Sequence, residues 1–421
     1  MSKLWHYAIV GAGPAGTASA LNLLRLGVAA DDIVVLDKAT FPRPKLCGGG
    51  ITHRGTALLQ ELLPGHFASE TDVPPGGLRT LGLDFASRAG RFPVQEAGPQ
   101  WLYDRADLDH ALLRAVEDKG VLVLQGTALT KLERATDEWT VHVRGRESGV
   151  SELRARWVIG ADGAHGAVAR CSGIPRGRLG RLVEAYYEAT PRAQTTPDRL
   201  LFDFDPVFDG IPGYAWIFPY PNSGHFKIGV MDGRGIVSGN KLRSWTDDFA
   251  HRHGYRRVDA KIAGWPEHFY APSNQAHIEG LVLVGEAWGI DPLLGEGIAP
   301  SLEMAAYAAE RLAGASSRRI RGYERDFRRT TPGRNLLFQH HLANLVYGPH
   351  PTRWVRVLFG HEYMRELAGQ GTEAYGKLAR HLPRLVGDYA LQCLKEGLPS
   401  ARPFPPRNEL EMRGRTTTGR A

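Results

Sequence analysis

Two periods of apolar residues alternate along the chain, and the changes of period mark out its elements. Residues 5–10 are a short apolar run, and 15–26 carry apolar positions at helical spacing up to Gly27. A second apolar run at 33–36 completes a strand–helix–strand pattern, which predicts a βαβ unit within the first forty residues. Residues 65–99 are rich in Gly and Pro, with short alternating pieces such as 81–85, so loops and strands outside that unit are predicted there. Helical spacing returns at 104–119, followed by predicted strands at 121–124, 139–143 and 157–161. From 176 to 274 the pattern is again short strands with turns. A last strand is predicted at 281–284 and a strong helix at 297–312, with helical segments to about 398. Residues 399–421 are rich in Pro, Arg and Thr and lack periodic apolar positions, which predicts disorder.

Composition sharpens this only in places. The chain has 421 residues, 43% hydrophobic and 23% charged, enough to bury a large core. Its net charge of +7 is uneven: from Arg311 to Ala421 there are 20 Lys/Arg against 9 Asp/Glu, so the rest of the chain is acidic overall. A solvated basic face is the plain reading of this excess, and an acidic partner or peripheral membrane contact the sharper one. No aromatic–basic RNA motif or zinc-finger spacing is present, so no nucleic-acid partner is expected. Cys47, Cys171 and Cys393 form no CxxC pair, which fits a reducing, cytoplasmic setting. Glycines at 11, 13 and 16 and Pro14 interrupt the apolar N-terminal stretch where a signal peptide would be continuous, so that stretch reads as strand, turn and helix. No run is apolar enough to span a bilayer. His340 and His341 are adjacent, point about 100° apart on a helix, and are not expected to share a metal.

Chemistry first enters at Gly11-Ala-Gly13-Pro-Ala15-Gly16, placed between strand and helix. Gly11 permits a tight turn, Gly13 lets backbone approach a pyrophosphate, and Gly16 lets the helix pack on the strand. The first helical turn, including Ala15, offers N–H groups and positive dipole to phosphates. Asp37 ends the second strand, followed by Lys38, where an acid accepts a ribose diol. This fingerprint serves NAD and FAD alike. Gly160-Ala-Asp162-Gly163 follows another strand, and Gly285-Glu286-Ala287 a third, running on through Asp291-Pro292-Leu-Leu-Gly295-Glu296-Gly297-Ile298 into a helix. Glycine-rich backbone entering a helix can bond the N1–C2=O edge of a flavin and favour its anionic reduced form. The three segments together point to FAD.

With these motifs the chain, over roughly residues 5–315, resembles the flavoprotein oxidoreductases that include geranylgeranyl reductases, p-hydroxybenzoate hydroxylase-like monooxygenases and flavin-dependent halogenases. The geranylgeranyl reductase branch looks closest. Pro44-Lys45-Leu46-Cys47-Gly48-Gly49-Gly50 resembles its cysteine–glycine loop beside the flavin, and Tyr214-Ala-Trp216-Ile-Phe218-Pro219 its YxWxFP substrate wall. The resemblance implies that Arg105 reaches the FAD phosphates and that Arg43 contacts the cofactor. The chain departs from the family pattern in four respects. Glu286 stands in place of an Asp that bonds the ribityl chain. Gly166 and Ala169 replace Ser and Arg, Met231 replaces a glycine after Gly229, and Tyr220–Ile228 is one residue longer. Tyr214 and Phe218 differ from the halogenase WxWxIP signature.

The expected architecture is α/β: a discontinuous Rossmann-type FAD-binding domain (1–77, 101–175 and 275–315) with β-sheet substrate insertions (78–100 and 176–274), a helical C-terminal region (316–398) and a disordered tail (399–421). The expected chemistry is reduction of a carbon–carbon double bond in an apolar or aromatic substrate by hydride from reduced flavin. Cys47 would be the catalytic proton donor, and Tyr214, Trp216 and Phe218 the substrate wall. The residues alone leave Cys47 open between this role and a compact buried one; Cys171 and Cys393 have no such context. One dinucleotide fingerprint leaves NAD(P)H, reduced flavin or ferredoxin as electron donor, with a donor or substrate-carrying protein as partner. A monooxygenase acting on an aromatic group, and a non-catalytic flavoprotein assembly factor, are the alternatives.

Overall fold

The computed structural model describes residues 3–64, 77–94, 100–145, 149–193, 198–221, 223–315 and 317–359, with a few more between 383 and 394. Residues 399–421 and Cys393, on which expectations were stated, lie outside them. The chain divides into two compact units. The first comprises Met1–Arg79, Gln100–Arg178 and Pro266–Leu337, and the second Thr80–Pro99, Leu179–Trp265 and Phe338–Ala421. The C-terminal helical region therefore divides between the two units near residue 338 and forms no unit of its own.

The first unit is built on a sheet in the order Leu122–Leu124, Ile33–Leu36, Leu4–Val10, Glu152–Gly160, Leu281–Leu283, all parallel. Ile33–Leu36 and most of Leu4–Val10 are fully buried, which is why they read as continuous apolar runs and not as alternation. The strands end in step. Val10 pairs with Leu36 on one side and Gly160 on the other, and Gly160 with Leu283. Hydrogen bonds extend the ladder just past these ends, from Gly11 N–H to Leu36 O at 2.8 Å and Ala161 N–H to Val10 O at 2.8 Å. Gly11, Asp37, Asp162 and Gly285, far apart in sequence, thus emerge side by side at one edge of the sheet. Open α/β sheets place their ligands at this edge. The Pro14–Arg25 and Ile298–Leu312 helices bury their small residues, among them Ala15, Ala18, Ala305 and Ala308, in this unit's core.

In the second unit Leu179–Ala189, His225–Asp232, Ala215–Pro219, Arg199–Asp203 and Gly82–Ser87 are successive neighbours in a mixed sheet. Alternation sends Ala185, Ile228, Ile217 and Leu201 to one face, under Leu242, Trp245 and Phe249 of the Gly239–Arg252 helix. That helix lies where the sequence predicts strands and turns. Its polar composition hides an i, i+3, i+7 stripe, and Ser238 caps it by accepting Lys241 N–H at 3.3 Å. The opposite sheet face carries Phe202, Tyr214, Trp216 and Phe218, with ring centroids 5.0–6.4 Å apart. Within it lies a buried ion pair, Lys227 Nζ to Glu184 Oε1 at 3.9 Å, and Trp216 Nε1–H donates to Glu184 Oε2 at 3.1 Å.

Gly229 makes that arrangement fit. A Cβ there would stand 2.3 Å from Trp216 Cζ2 and 2.4 Å from Val183 O. Gly229→Ala is therefore expected to destabilise this unit by about 1–3 kcal/mol through overpacking. A denaturant titration checks this, and an unchanged midpoint would contradict the packing assigned to Trp216.

Candidate flavin site

Backbone, more than side chains, shapes the site. Gly11 has φ +105°, and a Cβ on it would meet Ala161 O at 2.4 Å, while a Cβ on Gly16 would meet Gly11 O at 1.8 Å. Glycine is required at both positions by close approach, and at Gly11 also by conformation. Gly13 differs. Its φ is ordinary and its nearest neighbour would be Arg43 Nη2 at 3.6 Å, so the loop is open on this side with a cation beside it. Ala15, in the first helical turn, is buried. Asp37 is held by Ala12 N–H and Ala39 N–H, each at 2.8 Å, while Lys38 is exposed.

Arg105 is nearly fully buried and its guanidinium forms a two-bond pair with Asp109, both at 2.9 Å. Burial pulls its pKa down, but Asp109 and Cys47 together hold it above the usual arginine range. Arg105 thus pairs with Asp109 and Cys47, and Arg43, itself 3.3 Å from Asp109, lies beside Gly13. Cys47 is half-buried, and its Sγ accepts Gly49 N–H at 3.4 Å. Gly48 is half-buried beside it, and Gly49, at φ +82°, sits where a Cβ would meet Tyr103 O at 2.3 Å.

Asp162 accepts Val168 N–H on Oδ2 at 2.9 Å, whereas its buried Oδ1 has no partner among the described residues. Burial raises this carboxyl above the usual range. An unpaired buried carboxylate oxygen costs on the order of 1–3 kcal/mol, and a cofactor hydroxyl would satisfy it. Glu286 uses its extra methylene to reach across Gly163: its Oε2 would be 3.3 Å from a Cβ there and lies 3.9 Å from Lys45 Nζ. Burial lowers the Lys45 pKa and Glu286 opposes that shift. Gly285, at φ +59°, is wedged between Ala15 and Ser301, so the third glycine segment bears directly on the first helix. Pro292 and Ile298 are buried, and Gly295, at φ +69°, and Gly297 lead into the Ile298–Leu312 helix. Tyr214, Trp216 and Phe218 are buried in the second unit.

The sequence carried no signal for His268. Gly177 N–H donates to its Nε2 at 3.1 Å, so that nitrogen is unprotonated and Nδ1–H donates to Glu286 O at 3.1 Å. A neutral imidazole therefore ties the Gly285–Ala287 turn to the segment after Asp162. Asn274 adds bonds to Phe269 O and Trp288 O, each at 3.0 Å.

The orphaned Asp162 Oδ1, the glycine cradle and Arg43 fit a dinucleotide with a flavin head. An FAD-binding domain model matches residues 6–197, which defines the class: an FAD-binding oxidoreductase. The chain is 30% identical over 337 residues to a menaquinone reductase of Mycobacterium tuberculosis, covering 72% of this chain and 75% of that one. It is 27% identical over 347 residues to digeranylgeranylglycerophospholipid reductase 2 of Methanothermobacter thermautotrophicus, covering 79% and 85%. A solved geranylgeranyl bacteriochlorophyll reductase-like protein from Thermoplasma acidophilum shares the fold, with TM-score 0.73, 19% identity and coverage of 93% and 100%. The chain belongs to the FAD-dependent oxidoreductases of the geranylgeranyl reductase and p-hydroxybenzoate hydroxylase-like superfamily.

Two outcomes follow from the site. Gly13→Asp should fold, since its φ is one any residue adopts, and should be colourless, because the new carboxylate would pair with Arg43 at the pyrophosphate position. Stoichiometric FAD in the purified variant would disprove the role of this loop. The second outcome concerns acid. Burial lowers the pKa of His268, so the neutral ring's contribution is complete above the ordinary value of about 6.5 and is lost as pH falls toward the native value. FAD release, followed by fluorescence, should therefore rise with acidification, and His268→Gln should flatten that rise. An identical acid profile in the variant would rule His268 out.

Proposed function

We propose that this protein saturates a carbon–carbon double bond in the polyprenyl chain of a lipid substrate. The observation that carries the reading is what its relatives share. Menaquinone and digeranylgeranylglycerophospholipid, the substrates in their names, have unrelated head groups but both carry a polyprenyl chain. The aromatic face bearing Tyr214, Trp216 and Phe218 suits such a chain, offering rings that bury apolar area without fixing a polar pattern.

Bound FAD supplies hydride once reduced. The chain's own residues do the rest. The Gly11–Gly16 turn and Arg43 bind the pyrophosphate, and Asp37 binds the ribose. Asp162 takes a ribityl hydroxyl, and Gly295–Ile298 present backbone N–H to the pyrimidine edge. Cys47, with Arg105 against it and Gly49 N–H on its sulfur, gives a proton to the second carbon of the double bond, since both contacts stabilise the thiolate left behind. One dinucleotide fingerprint leaves electrons to an external donor, either a nicotinamide that binds transiently or a protein. The basic excess after Arg311 suits an anionic membrane surface, where a polyprenyl substrate resides.

The test is turnover without oxygen. Dithionite-reduced enzyme should convert a polyprenyl quinone under strict anaerobiosis with re-oxidation of its flavin. Cys47→Ala should retain FAD yet slow that step by ~10²–10⁴-fold. Strict dependence on oxygen together with a silent Cys47→Ala would refute the reductase reading and support a monooxygenase.

A further inference from the structure

Glu296 is a half-buried carboxyl between Gly295 and Gly297, in the loop that opens the Ile298–Leu312 helix. Its Oε1 lies 2.5 Å from Thr52 Oγ1. That same hydroxyl oxygen caps the His53–Leu62 helix by accepting Gly55 N–H at 3.2 Å, so its single proton is directed to the carboxyl. Arg54 of the His53–Leu62 helix bears on Glu296 and is tied by an ion pair to Glu303 of the Ile298–Leu312 helix. At the other end of the loop Asp291 accepts Leu293 N–H at 2.7 Å and Leu294 N–H at 3.1 Å, and adds a like charge. The carboxyl therefore sits among one paired cation, one carboxyl and one hydroxyl donor.

Among the described residues no side chain caps the Ile298–Leu312 helix by a hydrogen bond, and its positive end can stabilise one negative charge nearby. Two candidates compete for it: the Glu296 carboxylate, and the charge that a flavin lying on the Gly295–Ile298 backbone acquires at its N1–C2=O edge on reduction. A second negative charge a few ångströms from the first is disfavoured, and protonation relieves it.

We propose that Glu296 takes up a proton when the bound flavin is reduced, so that the reduced enzyme holds both the hydride and the proton that saturation of a double bond consumes. This rests on the assignment of Gly285–Ile298 as the flavin loop. Two electrons from an external donor such as a reduced nicotinamide, with one proton, convert FAD to its anionic reduced form, and a second proton adds to the Glu296 carboxylate. When the hydride adds to one carbon and the Cys47 proton to the other, FAD returns to its oxidised form, the Glu296 proton replaces the one Cys47 gave up, and Glu296 returns to its ionised form. Burial raises the Glu296 pKa, against the Thr52 bond and Arg54, and burial raises Asp291 to about 7. Asp291 is therefore set in the range where a change of one charge moves a proton, and burial displaces Glu296 in the same direction.

The experiment is a dithionite redox titration of the FAD-loaded full-length protein, followed by flavin absorbance, from about pH 5 to about pH 8, above the ordinary glutamic acid value. Each proton carried with the electron pair changes the equilibrium tenfold per pH unit, about 30 mV for a two-electron couple. The wild type should show a window of about 59 mV per pH unit, the two-proton slope. Glu296→Gln should keep its FAD and fall to about 30 mV per pH unit across that window, while Cys47→Ala should leave the slope intact. Thr52→Val, which removes the donor to the carboxylate, should move the window to higher pH. A one-proton slope in the wild type, or a two-proton slope retained in Glu296→Gln, would overturn the proposal. If Glu296→Gln loses FAD, an unmoved window in Thr52→Val would overturn it equally. The titration uses no substrate, so its failure is distinct from failure of the double-bond reductase reading.

Discussion

A methyl group on Gly11 would stand 2.4 Å from the Ala161 carbonyl oxygen, and one on Gly16 would stand 1.8 Å from the carbonyl oxygen of Gly11. The flavin unit depends on that closeness. It lets the turn after one strand lie against the backbone of the next, and it brings the Pro14–Arg25 helix down on both. Gly285 continues the same packing, since its missing side chain leaves room for Ala15 and Ser301. Because Val10, Leu36, Gly160 and Leu283 end in register, three separate loops converge without any side chain reaching far. The site is thus a property of the sheet edge, fixed before any charged group is placed.

The charged groups are then held by one another. Asp109, fully buried, is shared between Arg105 and Arg43. A buried carboxylate with two guanidiniums offsets part of the desolvation cost that either cation would meet alone, and the trio keeps a net positive charge beside Gly13. Lys45 and Glu286 form a second such pair near Gly163. His268 fixes the Gly285–Ala287 turn as a neutral ring, because its Nε2 faces the N–H donors of Gly177 and Asn274 and its Nδ1 faces a carbonyl. These contacts hold the Gly285–Ala287 turn in place before any ligand binds, and a pre-ordered loop lowers the ordering cost of binding.

The second unit solves a different problem. Its aromatic face must keep its own buried polar atoms satisfied. Trp216 packs directly against Gly229, where a Cβ would clash with its ring, and its indole N–H is taken by Glu184, which pairs with Lys227. On that same face the polar groups of Trp216, Glu184 and Lys227 are paired with one another, which leaves the rings apolar.

The sequence by itself determined the strand–turn–helix opening, the three glycine segments and their order, and the substitution of Glu for Asp at 286. Each is written in local spacing, since a glycine required by a turn and a strand buried on both faces leave marks within a dozen residues. Tertiary structure alone decided where the charges go. The resemblance implied a role for Arg105 and Arg43 toward the cofactor, but not that Arg105 pairs with Asp109 one helical turn on and with Cys47, or that Arg43 lies beside Gly13. The Gly239–Arg252 helix was hidden for a related reason, because its apolar stripe is three residues wide and becomes legible only against the sheet it covers. Thr52 with Glu296, and His268 with Gly177, join residues 244 and 91 positions apart. A hydrogen bond across such a distance depends on the packing of whole elements, and no periodicity in the chain records it.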